Sequence, residues 1–192
     1  MDIALENVTK AYGETRVLKA FSHTFPEGTL TFITGRSGCG KTTLLRLIAG
    51  LETPDAGQIL GVPREGIAML FQEDRLQSQL CAAACLRSVL KKTPRREGDI
   101  RSALKALDLP ADESQSVSAF SGGMRRRVAL ARALLFPSPL VLLDEPFKGL
   151  DEDTRSLAVA FARPLLRGRT TLLVTHDWKD LEAFEGAVLA MS

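Results

Sequence analysis

The run Gly35-Arg36-Ser37-Gly38-Cys39-Gly40-Lys41-Thr42 fits G-x-x-x-x-G-K-[ST] at every fixed position. Glycines at this spacing let consecutive backbone N–H groups turn inward onto phosphate oxygens, and a helix starting there adds positive potential. Lys41 can reach the β- and γ-phosphates of a nucleotide. The hydroxyl of Thr42 is placed to ligate Mg²⁺, and Thr43 follows it in the first helical turn. A chance glycine-rich turn is the plain alternative. It is weakened by the β-rich run Thr29–Thr34 ahead of the motif and a helical pattern behind it.

Two further groups carry chemistry. Leu140-Val141-Leu142-Leu143 is an apolar strand that ends in Asp144-Glu145. Carboxylates at the C-terminal end of a buried strand mark a site at the sheet's rim, unless they only cap and open a helix. Coupled to the phosphate loop, Asp144 can stand behind the ligands of Mg²⁺ and Glu145 can orient or polarise the attacking water. Ser121-Gly122-Gly123-Met124 opens a helical stretch running to Leu135, a second helix terminus suited to anions.

The elements that must position these groups read as α/β. Strands are expected over 3–8, 16–25, 29–34, 67–71, 140–143, 170–174 and 187–191, with turns at 26–28 and 54–57. Helices are expected over 41–49, 79–92, 98–108, 152–163 and 178–184, and Pro164 should end or kink its helix. Strand–helix alternation implies a mainly parallel core sheet. The whole chain, 1–192, reads as one domain, with a helical subdomain from about 73 to 135 inserted in the core.

Composition excludes some classes. The 192 residues are 45% hydrophobic and 25% charged, with a formal net charge of +2, so no global field points to nucleic acid or an anionic membrane. Acidic residues stand where a secretory leader would be basic, and no apolar run is long enough to span a bilayer. A cytosolic protein is expected, with any membrane role supplied by a partner. Cys81 and Cys85 lie four apart, on one helix face, and read as packing in preference to metal ligation. Two basic runs, 91–96 and Arg125-Arg126-Arg127, read as solvated surface, the alternatives being nucleic-acid or nucleotide contacts.

The order of motifs resembles the ABC ATPase family across nearly the whole chain: the phosphate loop (Walker A), Gln72, the Ser-Gly-Gly signature, Leu143-Asp144-Glu145-Pro146, Gly149-Leu150-Asp151 and Thr175-His176-Asp177. The resemblance implies a P-loop NTPase of ABC type, with an N-terminal antiparallel β region added to the parallel core. It assigns adenine stacking to Tyr12, which would otherwise be a packing residue. Gln72 would contact Mg²⁺ and the attacking water, and link hydrolysis to the helical subdomain. His176 would be the switch histidine near the γ-phosphate, or else a helix-cap neighbour. Asp151 would lie in a loop crossing a dimer interface. Ser121, Gly122 and Gly123 would close over the nucleotide held by a facing copy, so two chains complete a site.

The resemblance further implies ATP and Mg²⁺ as ligands, and an integral-membrane permease as partner. The chain would pair with itself or another ATPase subunit, and would meet a solute-binding protein only indirectly. It would lie on the inner face of the cell membrane, with no nucleic-acid partner. Met124 replaces the usual signature glutamine, which resembles the nitrate, sulfonate and taurine importer subgroup, as does Phe71-Gln72-Glu73-Asp74-Arg75-Leu76. Gln77-Ser78-Gln79-Leu80 then departs from that subgroup's apolar continuation. The chain ends soon after His176, which reads as lacking a regulatory domain. Leu76, Leu80 and Leu86 would line a groove for a permease helix, or pack in the core. Rival readings are a soluble ABC ATPase acting on ribosomes or DNA, and a nucleotide-gated clamp without turnover.

Overall fold

The structure is a computed structural model that describes residues 2–64, 66–90 and 97–192; the basic run 91–96 lies outside them. The chain divides into two compact units, Met1–Met69 with Ser138–Glu145 and Gly168–Ser192, and Leu70–Pro137 with Pro146–Arg167.

The first unit carries two sheets. Strands β1 (Ile3–Tyr12), β2 (Thr15–Phe25) and β4 (Ala56–Leu60) form an antiparallel sheet in the order β2-β1-β4. Strands β3 (Leu30–Gly35), β5 (Ala68–Leu70), β6 (Leu140–Asp144), β7 (Thr170–Val174) and β8 (Ala187–Met191) form a second sheet in the order β5-β6-β7-β3-β8. The β3–β7, β3–β8 and β6–β7 pairings are all parallel. Helix α1 (Lys41–Ile48) buries Leu44, Leu45, Leu47 and Ile48 in a cluster with Ile3, Leu5 and Phe25 of the antiparallel sheet and Ile33, Leu142 and Leu172 of the parallel one. Burial on both faces explains why β6 and β7 are near-continuous apolar or threonine runs with no alternation. A short helix α6 (Trp178–Ala183) precedes β8.

The second unit is helical: α2 (Ala82–Leu90), α3 (Glu97–Ala106), a 3₁₀ turn at Val117–Ala119, α4 (Gly122–Leu135) and α5 (Glu152–Leu166). Helix α4 packs on both α2 and α5. Arg126 and Arg127 of this helix are only 5% and 6% exposed. The expectation of a solvated arginine face is therefore corrected. Arg127 donates from Nη1 to the Leu107 carbonyl at 2.5 Å and from Nε to that of Gly123 at 3.4 Å, so burial leaves its guanidinium paired.

Other differences are local. The expected turn at 54–57 instead leads into β4, whose Gln58, Ile59 and Leu60 pair with Glu6, Leu5 and Ala4. A Cβ on Gly57 would fall 2.4 Å from the carbonyl oxygens of Glu6 and Asn7, so the glycine that reads as a turn signal is a close strand crossing. Helix α5 does not stop at Pro164 but runs on to Leu166. A proline in the last turn removes a single ladder bond just before the helix would end anyway. Leu86 is fully buried, which removes it from the expected groove lining. Cys81 lies just ahead of α2, and both Cys81 and Cys85 are buried free thiols.

Candidate functional site

In the parallel sheet, Ile33 of β3 and Asp144 of β6 both pair with Val174 of β7. β6 and β7 therefore end in step while β3 runs on to Gly35, and the carboxyl ends of all three lie on one edge: Gly35 and its loop, Glu145, and Thr175-His176. Ligand sites of open α/β sheets lie at such carboxyl ends.

The loop after β3 leads into α1 through Gly40, which has φ +102°; a Cβ there would sit 2.7 Å from Cγ1 of Val17. Gly40 thus brings no side chain to cap the helix. The first N–H of α1 with an intrahelical partner is that of Leu44, which donates to the Gly40 carbonyl at 2.8 Å. The N–H groups of Lys41, Thr42 and Thr43 precede it and face the loop's mouth as helix-terminal donors. The ammonium of Lys41 donates to the carbonyls of Gly35 and Arg36, both at 2.8 Å, and lies 3.8 Å from Sγ of Cys39. Ser37 and Gly38 complete the loop.

Asp144 is 2% exposed, and its Oδ2 accepts a 2.7 Å hydrogen bond from the Thr42 hydroxyl. A helix terminus rich in donors, a flexible ammonium and a hydroxyl backed by a carboxylate form a fitting set for a polyphosphate with Mg²⁺. Among the described residues no group of three or more His, Cys, Asp or Glu side chains is arranged to hold a metal ion by itself. Mg²⁺ shared with phosphate oxygens needs none.

Glu145 has φ +49°, a left-handed backbone that a side chain with Cβ seldom adopts, and its N–H donates to the Val174 carbonyl at 2.9 Å. Such strain persists only where surrounding structure over-determines it. Oε1 of Glu145 lies 3.0 Å from Nδ1 of His176, and the Nδ1–H tautomer makes this a hydrogen bond. The histidine is held from behind. Thr175 donates from Oγ1 to Oδ2 of buried Asp180 at 2.5 Å, Asp177 N–H donates to Thr175 Oγ1 at 3.0 Å, and Lys179 N–H donates to Asp177 Oδ1 at 2.9 Å.

Tyr12 ends β1 with 46% of its surface exposed. Its hydroxyl donates to the carboxylate of Glu52, whose Oε1 is 3.1 Å from Nε of Arg46 on α1. Local desolvation first, and the Glu52 bond second, push the phenol above its ordinary range. Sequence reasoning picked out neither Glu52 nor the Thr175–Asp180 pair. Nothing in spacing distinguishes them, because their importance comes from what they touch.

The second unit holds Gln72, Ser121, Gly122, Gly123 and Asp151. Gln72 is exposed. Ser121 caps α4, its Oγ accepting from Met124 N–H at 3.2 Å. Neither Gly122 nor Gly123 has a positive φ, and a Cβ on either would meet nothing closer than 3.5 Å, so the chain's own packing does not require glycine at these places. Asp151 caps α5 through Oδ1, which accepts from Thr154 N–H at 3.0 Å, and that bond chiefly holds its carboxyl below the usual range.

Comparison with known proteins agrees with this geometry. The dimeric structure of a post-hydrolysis state of the ATP-binding cassette MJ0796 bound to ADP and Pi superposes with a TM-score of 0.86 at 27% identity, covering 99% of this chain and 94% of that one. The Fe(3+) ions import ATP-binding protein FbpC of Photorhabdus laumondii is 36% identical over 205 residues, covering 99% of this chain. The aliphatic sulfonates import ATP-binding protein SsuB 2 of Pseudomonas aeruginosa is 39% identical over 195 residues, covering 97% of this chain and 70% of that protein. The chain spans 58% of the length of the FbpC protein. The family model for ABC transporters matches residues 18–148, and with these relatives it shows that the chain belongs to the ABC transporter family, in its ATP-binding cassette fold.

Proposed function

We propose that this chain is the MgATP-binding and hydrolysing subunit of an ABC importer. The observation that carries the reading is the shared strand edge, where the phosphate loop, the Thr42–Asp144 pair and the Glu145–His176 pair emerge together. The N–H groups at the start of α1 bind phosphate oxygens, and Lys41 leaves the loop carbonyls to meet the β- and γ-phosphates. Mg²⁺, when bound, neutralises charge on those oxygens; Thr42 would hold it, with Asp144 behind. Glu145 orients or accepts a proton from the attacking water, and His176 fixes that carboxylate and faces the γ-phosphate.

Ser121, Gly122 and Gly123 act on the nucleotide of a facing copy. Supporting this, no contact among the described residues demands glycine at 122 or 123, whereas close backbone approach by an outside group would. The matching MJ0796 cassette is a dimer. Gln72, Tyr12 and Asp151 keep the roles the family resemblance implies. A permease partner anchors the chain at the inner membrane face, a reading supported by its likeness to import ATP-binding proteins. Small anions or sulfonate-like compounds are the solutes favoured by Met124 and the SsuB relatives; iron is the rival, from the FbpC relatives.

ATP turnover by the purified chain, alone and co-expressed with its permease, tests the reading. Lys41→Ala should cut turnover by about 10²-fold or more, since a transition-state charge clamp is lost. Parent-like hydrolysis in that variant, or copurification with ribosomes or DNA and never with a membrane protein, overturns it.

A further inference from the structure

Helix α4 reaches back to the loop that carries Gln72. Arg126, 5% exposed, donates from Nη1 to the carbonyls of Phe71 at 2.7 Å and Gln72 at 3.3 Å, and the same nitrogen lies 3.1 Å from Oδ1 of Asp74. Its Nε donates to the carbonyl of Pro146 at 3.3 Å. Arg132, on the same helix, donates from Nη1 to the Arg75 carbonyl at 2.8 Å and from Nη2 to that of Asp74 at 3.0 Å. The loop also folds on itself, with the Arg75 guanidinium 3.9 Å over the Phe71 ring and Arg75 at φ +46°. All these residues belong to the second unit.

A buried guanidinium cannot shed its charge, so it is tolerated only where fixed acceptors surround it. Here most of the acceptors are backbone carbonyls, which move only when the chain itself moves. The planar fork therefore ties three segments into one body: α4 behind the Ser-Gly-Gly turn, the Gln72 loop, and the segment that begins at Pro146. We propose that Arg126, backed by Arg132, is a positioning residue that makes the Gln72 loop follow α4. It acts through Gln72 and not on the nucleotide. The turnover part of this proposal rests on Gln72 serving the ATP site.

Arg126→Met keeps a stem of similar length and removes every donor. In the full-length chain, hydrogen exchange of the peptide covering 71–76 should speed up by about 10-fold, with 128–135 unchanged. Arg126→Lys should give an intermediate rate. Turnover should fall about 10-fold in Arg126→Met at an unchanged KM for ATP, and the same change made in Gln72→Ala should add little, because both act through one element. Losses that multiply in the double variant mean general damage and overturn the proposal. So does unchanged exchange at 71–76 in a folded Arg126→Met. If Arg126→Met does not fold, Arg132→Met and Arg126→Lys carry the exchange test, and a loop as protected as the parent's in both overturns it. If Gln72→Ala alone turns over like the parent, the role of Gln72 falls, while faster exchange in Arg126→Met still upholds the clamp.

Discussion

Glu145 combines three conditions seldom met at one residue: a left-handed backbone, a strand end beside Asp144, and a carboxylate oxygen 3.0 Å from an imidazole nitrogen. The N–H bond to Val174 ties down the main chain at a φ of +49°, and the contact with His176 orients the carboxylate. Glu145→Gln preserves shape and backbone but cannot take a proton as a carboxylate does. Turnover should fall by about 10²-fold or more with ATP still bound, the range expected for losing a general base. Single-turnover hydrolysis alongside equilibrium ATP binding checks this. A variant hydrolysing at the parent rate would move the proton acceptor elsewhere.

At the scale of elements, the loop and helix α1 depend on the antiparallel sheet beneath them. Gly40 sits against Val17 of β2, so the conformation that starts α1 is set partly by a strand of the other sheet. Gly40→Ala forces a Cβ to within 2.7 Å of Val17 Cγ1 at a φ of +102°. Strain at such a position should cost about 1–3 kcal/mol. A lower Tm together with weakened ATP binding is the expected result; Tm falling while ATP affinity is unchanged would separate the loop's shape from its function. Helix α1 itself was legible, since its apolar spacing is regular and glycines flank it. Strand β4 was not, because an exposed edge strand with glycine and a preceding proline looks like a turn until β1 is there to pair with it.

For the whole molecule, several carboxylates are held below their usual range by partners that exist only after folding. The Ala11 N–H holds Asp55 there, Arg87 holds Glu97, Ser114 holds Asp112, and Thr154 N–H holds Asp151. Lowered folded-state values mean that the unfolded chain binds these protons first as pH falls. Their stabilisation is therefore fully present above the ordinary carboxylate values of about 4 and is lost as pH drops through the lower folded ones. Tm should fall below about pH 4, less steeply when Asp55→Asn and Glu97→Gln are combined. A Tm unchanged down to pH 3 would contradict it. These groups are exposed, so added salt should reduce the contribution of the Arg87–Glu97 pair.

The sequence by itself determined what depends on near neighbours: the glycine-rich loop between strand and helix, the helix opening at Ser121-Gly122-Gly123, and an α/β alternation that implies a parallel core. Turn and cap preferences act over a few residues, so a short run of letters contains them. Tertiary structure alone decided which distant groups meet. Thr42 and Asp144, 102 positions apart, touch because β3, β7 and β6 share a register. Arg126 and Arg127 read as surface charge in any window along the chain, and became buried because carbonyls from residues about 20 to 55 positions away converge on them. Burial is a property of the packed chain, and a charged side chain goes inside only when folding delivers its acceptors.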